Sequence, residues 1–338
     1  MKGEAMLEFV VACAGDGVVQ RWALHGASGR LECLQQLDCA GPVAALAWDP
    51  DRRGLYAALR GEPYALLRMD LRADGRLAHA QRRELPADMA CIALDGSGEG
   101  MLCASYTMGC IAWARGSGVE SLPTDGPSHA CVALGGGRLV LATQTVEGSL
   151  LCLSSDDPAL PLARRRVRRL RLHAQASPRH VAVAGDLVFI DHEEHSVVDV
   201  CRYDPLANAL RPLFSTELGH AIEGRPWYAD IRCDAEGTWL WLSERRQGMV
   251  HGLRVDLPGA RLVPTTSLPV PATPRSIAAH GDWLVCCGET AHALSLHARG
   301  ADGHWRERAR MRCGARPMWV EFLLPPTRAA AGAFLEDS

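Results

Sequence analysis

The sequence predicts an all-β protein: a seven-bladed β-propeller of four-stranded antiparallel blades, its last blade closed by both ends of the chain. Three observations predict it. A short apolar run recurs along the chain: FVVAC from Phe9, LYAAL from Leu55, MLCAS from Met101, LVLAT from Leu139, LVFID from Leu187, WLWLS from Trp239 and WLVCC from Trp283. These runs recur every ~46 residues on average, the length of a four-stranded propeller blade. No stretch keeps a helical periodicity, and each run is short and bounded by turn residues, as buried strands are.

Each run is the second strand of a repeat. A first apolar strand and its turn precede it: VAALAWDPDRRG, ACIALDGSGEG, ACVALGGG, RHVAVAGD, YADIRCDAEGT and RSIAAHGD, in chain order. A third strand follows a polar loop: YALLRMDL, CIAWAR, SLLCLS, VVDVCRYD, MVHGLRVD and HALSLHA. Its alternation suits a sheet face packed on a neighbour. A fourth, more polar strand ends the repeat, as in ALRPLFSTEL and HWRERARMRC. The basic run RRRVRRLRLH, from Arg164, falls at this fourth position of the third blade. Alternating arginines facing water explain it without a nucleic-acid partner.

The ends complete the count. RPMWVEFL, from Arg316, is a first strand with no repeat after it. The N-terminus supplies FVVACAG, VVQRWAL and RLECLQQL, which lack a first strand. One blade built from both ends hides sheet edges that would otherwise pair with other chains. A single domain over residues 1–338 is expected, with an ordered core of about 7–322 and a flexible tail over 325–338.

Composition narrows the function. The chain has 338 residues, 48% hydrophobic and 22% charged, with a formal net charge of −3. That balance predicts neither a nucleic-acid nor a membrane partner, and no apolar run reaches the ~20 residues of a membrane-spanning helix. Lys2 is the only lysine, which argues against Schiff-base chemistry, since that needs a desolvated lysine. The 13 cysteines include no CxxC pair. With a poor signal sequence at the start, they read as reduced thiols in a cytoplasmic protein. Cys13, Cys103, Cys286 and Cys287 lie in apolar runs, where cysteine serves as a small core side chain.

Antiparallel parity selects one face. In a four-stranded meander, first-strand starts and second-strand ends share a side of the propeller. The starts include His129, Arg179, His180, Trp227, Asp230, Arg275 and Trp319. The ends include Arg60, Tyr106, Gln144, His192, Glu193, Arg245 and Glu289. Arginines, histidines, carboxylates and aromatic rings together suit an anionic substrate and acid/base chemistry. Asp230 reads as structural, satisfying backbone amides near a strand start. Cys131 has no base partner fixed in sequence and is not read as a nucleophile. An arginine-rich centre repels cations, so no metal or other cofactor is expected.

At these residues the sequence resembles the seven-bladed propeller lactonases, the group of bacterial propeller-type 6-phosphogluconolactonase and fungal 3-carboxy-cis,cis-muconate lactonizing enzyme. SPRHVAV at Ser177, HEEHSVVDV at His192, YADI at Tyr228, TPRSI at Thr273 and RPMWV at Arg316 carry the likeness, in the family's order. The resemblance implies His129, Arg179, Glu193 and Arg245 as catalytic residues and Arg275 as a substrate-binding one; His180, Trp227 and Trp319 are read as substrate-binding from their place on the same face, the two tryptophans as packing residues or walls of the pocket. The resemblance also implies metal-independent hydrolysis of a small anionic lactone, with 6-phosphoglucono-1,5-lactone the first expectation; a monomer or weak homo-oligomer is expected. A cycloisomerase or lactonase acting on a carboxylated muconolactone or other sugar lactone, or a non-catalytic binding platform on the same fold, stays open at this point.

Overall fold

The computed structural model describes residues 6–26, 28–172, 177–218, 224–234 and 237–324. The tail expected over 325–338 lies outside these residues. Seven four-stranded antiparallel sheets make up the chain. The expected strands fall in place, from VAALAW as the inner strand Val43–Trp48 of blade 1 to HALSLHA as the third strand Ala293–Arg299 of blade 6. Among the described residues the single helical element is a 3₁₀ turn at Leu162–Arg164.

Blade 7 is shared between the ends. Its inner strand is Pro317–Leu323, hydrogen-bonded to Met6–Cys13, which continues into Val18–His25 and Arg30–Asp38. Val11 pairs with Val320 and Phe9 with Phe322. The joint is packed as well as hydrogen-bonded. Phe9, Trp22, Val320 and Phe322 form one apolar cluster with Leu294 and Leu296 of blade 6. Each such side chain contributes about 1.5–3 kcal/mol on burial.

Burial follows strand position. The second strands are almost wholly buried, as in Leu139–Gln144. The fourth strands alternate or are exposed. Arg166–Arg171, from the basic run, is the outer strand of blade 3 and buries only Leu170. Arg166 pairs with Asp156 and Arg169 with Asp125. Cys13, Cys103, Cys286 and Cys287 are fully buried in the packing between blades.

One irregularity of the inner strands shapes the channel. The pairing of inner with second strand slips by a residue just after Pro178, Pro274 and Pro317. Proline has no N–H to give the ladder, so strands tolerate it at their first residue or at a bulge. The slip frees Arg179 and His180 in blade 4, Arg275 in blade 6 and Met318 in blade 7 from the ladder, and all four line the upper channel. A regular strand would send successive side chains to opposite faces; the bulge lets Arg179 and His180 both turn inward.

Candidate active site

The site is a narrow cleft at one mouth of the channel, bordered by Arg60, His129, Arg179, His180, Arg275 and Trp319. His129 immediately precedes the inner strand region of blade 3. Its backbone N–H and that of Ala130 both donate to Thr143 Oγ1, at 3.1 and 3.0 Å. This hydroxyl fixes the chain where it enters the channel. The ring meets Tyr106 edge-on, centroids 5.9 Å apart, and lies 4.8 Å from the His180 ring. Nδ1 of His129 is buried without a hydrogen-bond partner. Burial, then Arg179, His180, Arg275 and Arg245, hold the imidazole well below its ordinary range, so it is neutral at neutral pH.

Glu193 ends the second strand of blade 4, caged by cations and an indole. Arg245 Nη2 donates to its Oε1 at 2.5 Å, Trp227 Nε1 donates to the same oxygen at 3.2 Å, and Arg179 Nε lies 3.5 Å away. Burial pushes the carboxyl up, but Arg179 and Arg245 outweigh it and the net shift is down. Among the described residues nothing donates to Oε2. The Arg245 guanidinium also covers the Trp227 ring at 3.8 Å, a cation–π contact, and donates to Tyr228 O at 2.9 Å. Burial and the neighbouring Arg179 push Arg245 down to about 10.

The arginines differ in what holds them. Arg60 is engaged by Asp88 at 2.9 Å, and Arg316 by Glu289 at 3.0 Å. Arg275 makes no hydrogen bond or ion pair among the described residues. Burial and the adjacent Arg179 and Arg245 push it down to about 9, which still leaves it charged at neutral pH. The entry to its strand is strained: Thr273 sits at φ 55°, in the left-handed region, costly for a β-branched residue. Its hydroxyl is tied to that of Thr290 at 2.7 Å.

Below the cleft lies a second layer. His180 Nδ1 is 3.0 Å from Asp230 Oδ1. Asp230 also accepts from the amides of Ile231 and Ile277 and from Ser276 Oγ, linking blades 5 and 6 to blade 4. The Trp319 ring lies tilted against His180, centroids 5.6 Å apart, and Trp319 donates from Nε1 to Glu321 at 2.8 Å. His180 and Trp319 border both the cleft and a cavity of about 320 Å³ in the lower channel. At the mouth, a cavity of about 380 Å³ opens beside Glu193, lined also by Tyr106, Ser177 and Arg225.

A family model described as "Lactonase, 7-bladed beta-propeller" matches residues 9–322. The chain belongs to this family. It is 26% identical over 322 residues to the 6-phosphogluconolactonase of Pectobacterium carotovorum subsp. carotovorum, covering 89% of this chain and 94% of the relative. It is 26% identical over 321 residues to that of Pectobacterium atrosepticum, with the same coverage. Among solved structures, a putative 6-phosphogluconolactonase from Bacteroides fragilis superposes with a TM-score of 0.82 at 14% identity, over 95% of this chain and 99% of the other. A periplasmic gluconolactonase from Pseudomonas aeruginosa gives 0.82 at 17%, over 95% and 100%. Both show the propeller fold.

Within this lactonase scaffold, the residues expected at the site separate by depth. His129, Arg179, Glu193, Arg245 and Arg275 gather at the mouth, with Trp227 on its rim, 40% exposed. His180 and Trp319 lie a layer deeper. His192 is turned away from the cleft, fully buried with Nε2 2.7 Å from Asp199 on the neighbouring strand. Gln144 is also fully buried. Asp230 does accept backbone amides, as its strand-start position suggests. Cys131 is buried and its thiol is pushed well up by burial, which disfavours the nucleophilic thiolate. Sequence reasoning missed Asp191. It lies opposite the blade 4 bulge and accepts the His180 N–H at 2.6 Å, while its Oδ2 is buried without a partner. An Asp facing two bulged residues was the available signal. Among the described residues no His, Cys, Asp or Glu group is arranged to hold a metal, and no helix is long and apolar enough to cross a membrane.

Proposed function

We propose that this chain hydrolyses 6-phosphoglucono-1,5-lactone to 6-phosphogluconate. One observation carries the reading: Arg275, a guanidinium with no hydrogen bond or ion pair among the described residues, borders the same cleft as the neutral imidazole of His129. The first supplies an anion site and the second a proton acceptor. The names of the relatives support the choice of lactone.

In this mechanism a water attacks the lactone carbonyl carbon while His129 takes one of its protons. The carbonyl oxygen becomes an oxyanion, and Arg179 Nη2 faces it. Preorganised donors of this kind usually supply the largest share of stabilisation in acyl transfer. The carbon–ring-oxygen bond then breaks, and the imidazolium returns its proton to the ring oxygen. A strongly depressed imidazolium is a strong acid, so the return is fast. Glu193 stays ionised; its Oε2 accepts a hydrogen bond from the attacking water or a sugar hydroxyl. Arg275 takes the substrate's anionic group, and Trp227 walls the sugar. The wider cavity beside Glu193 has room for the polyol chain. Arg245 holds Glu193 rather than substrate.

We also infer a reducing, cytoplasmic compartment, supported by the number of cysteines packed as core side chains. The test is turnover of purified protein on 6-phosphogluconolactone, plain gluconolactone and carboxylated muconolactones, with spontaneous hydrolysis subtracted. A preference for the phosphorylated lactone is expected. Activity on the muconolactone alone would move the assignment to that substrate, and no turnover on any would leave a binding platform.

A further inference from the structure

We propose that His180 and Asp230 are a positioning pair that aims the Arg179 guanidinium into the cleft; the proposal rests on the role given to Arg179 above. Asp230 is held ionised, well below the usual carboxylate range, by Arg232 and His180 against the opposing effect of burial. An ionised carboxylate only accepts, so the proton on His180 sits on Nδ1 and points at Asp230. Arg179 Nη1 lies 3.4 Å from His180 Nε2. A guanidinium only donates, so Nε2 must present its lone pair. One tautomer satisfies both neighbours; the other would set N–H against N–H and a lone pair against a carboxylate.

The consequence is a fixed guanidinium. Arg179 is 1% exposed. Its Nη1 rests on His180 and its Nε faces Glu193 at 3.5 Å. The Nε contact is an ion pair without a hydrogen bond. Arg179 lines the cleft, and Nη2, with no partner among the described residues, is the group available to enter it. The charged and titratable groups around His180 are Arg179 on its own strand, His129 in blade 3, Asp191 on the adjacent strand, and Asp230 with Arg232 in blade 5. Burial and Arg179 push His180 down to about 4, so the lone pair is present across the physiological range. Asp230 cannot be the variant tested, because it also holds the Ile231 and Ile277 amides.

Three substitutions at His180 separate the two contacts. His180→Asn places an amide near Nδ1 and keeps the Asp230 bond. His180→Gln places a carbonyl near Nε2 and keeps an acceptor for Arg179. His180→Phe keeps only the packing on Trp319. With melting temperatures matched to wild type, Asn and Phe should lower kcat by roughly 10²-fold, the effect of a misaimed catalytic group, with KM changed less. Gln should recover most of that loss. In an Arg179→Ala background, His180→Asn should cost nothing further. Wild-type kcat in the Asn and Phe variants, or an undiminished loss without Arg179, overturns the proposal. A second measurement needs no turnover: the ¹⁵N spectrum of the imidazoles should show neutral, Nδ1-protonated His180. An Nε2-protonated ring overturns the pair even if the lactone assignment fails, and the Nδ1 form supports it in that case too.

Discussion

Arg245 and Glu193, 52 residues apart in sequence, meet at 2.5 Å across the boundary between blades 4 and 5. The contact sorts the cationic residues of the mouth by task. Arg245 is committed to a carboxylate and an indole, whereas Arg275 makes no hydrogen bond or ion pair among the described residues. Their substitutions should therefore have different kinetic signatures.

Arg275→Ala should raise KM for the phosphorylated lactone by about 10–100-fold, since a charge-assisted hydrogen bond is worth about 1.5–3 kcal/mol. It should leave plain gluconolactone nearly unaffected. Arg275→Lys should restore only part, because an ammonium lacks the bidentate fork. Steady-state kinetics on the two lactones decide it. An equal loss on both would remove Arg275 from anion binding.

Arg245→Ala should instead lower kcat and let Glu193 titrate higher. Arg245 is a principal force holding that carboxylate down. A new acid-side inflection in the pH–rate profile, absent in wild type, is the expected mark. A pure KM effect would place Arg245 on the substrate.

His129→Ala should lower turnover by roughly 10²–10⁴-fold with a modest KM change. In wild type, the acid limb of kcat/KM should lie below the ordinary histidine value of about 6.5, because the folded imidazole resists protonation. Rates should stay flat as pH falls from 8 to about 6.5 and drop only beyond. A limb centred above that value would exclude His129 as the proton acceptor.

Asp191 makes a prediction about stability. Burial pushes its carboxyl up to about 7, with Arg179 and the His180 amide opposing. An unfolded aspartate titrates near about 3.9. Between those values the unfolded chain releases a proton that the folded chain keeps, so stability falls as pH rises through the window. Asp191→Asn removes the group while leaving a carbonyl for His180 N–H. The variant should melt like wild type near pH 4 and above it at pH 8. Parallel melting curves at both would mean that Asp191 does not titrate between them.

Removing residues 316–338 should abolish cooperative unfolding or cause aggregation, since it takes away the inner strand of blade 7 and exposes two sheet edges. A soluble truncation with unchanged melting would contradict closure by both ends.

The blades were legible in the sequence because strand, turn and burial repeat locally, and an unmatched RPMWVEFL leaves only one way to close the ring. The face that gathers these side chains was legible because parity alone assigns it. Pairing was not. Nothing local distinguishes Arg245, which finds Glu193 and Trp227, from Arg275, which makes no hydrogen bond or ion pair among the described residues. His192 and Glu193 are neighbours in sequence, yet alternation turns one to Asp199 in the blade and the other to the mouth. The depth of Trp319 depends on the slip after Pro317, and its only trace in the sequence is a proline at a strand start.

That slip has a consequence for how such a protein changes over evolutionary time. A residue lifted out of the ladder gives the sheet no cross-strand partner, so its identity is released from the demands of folding. Arg179, Arg275 and Met318 occupy such positions in three blades of one scaffold. Exchanging the side chain there rewrites the chemistry of the mouth while the strands beneath keep their register. Point substitution at these positions therefore changes the lining of the mouth without rebuilding a loop.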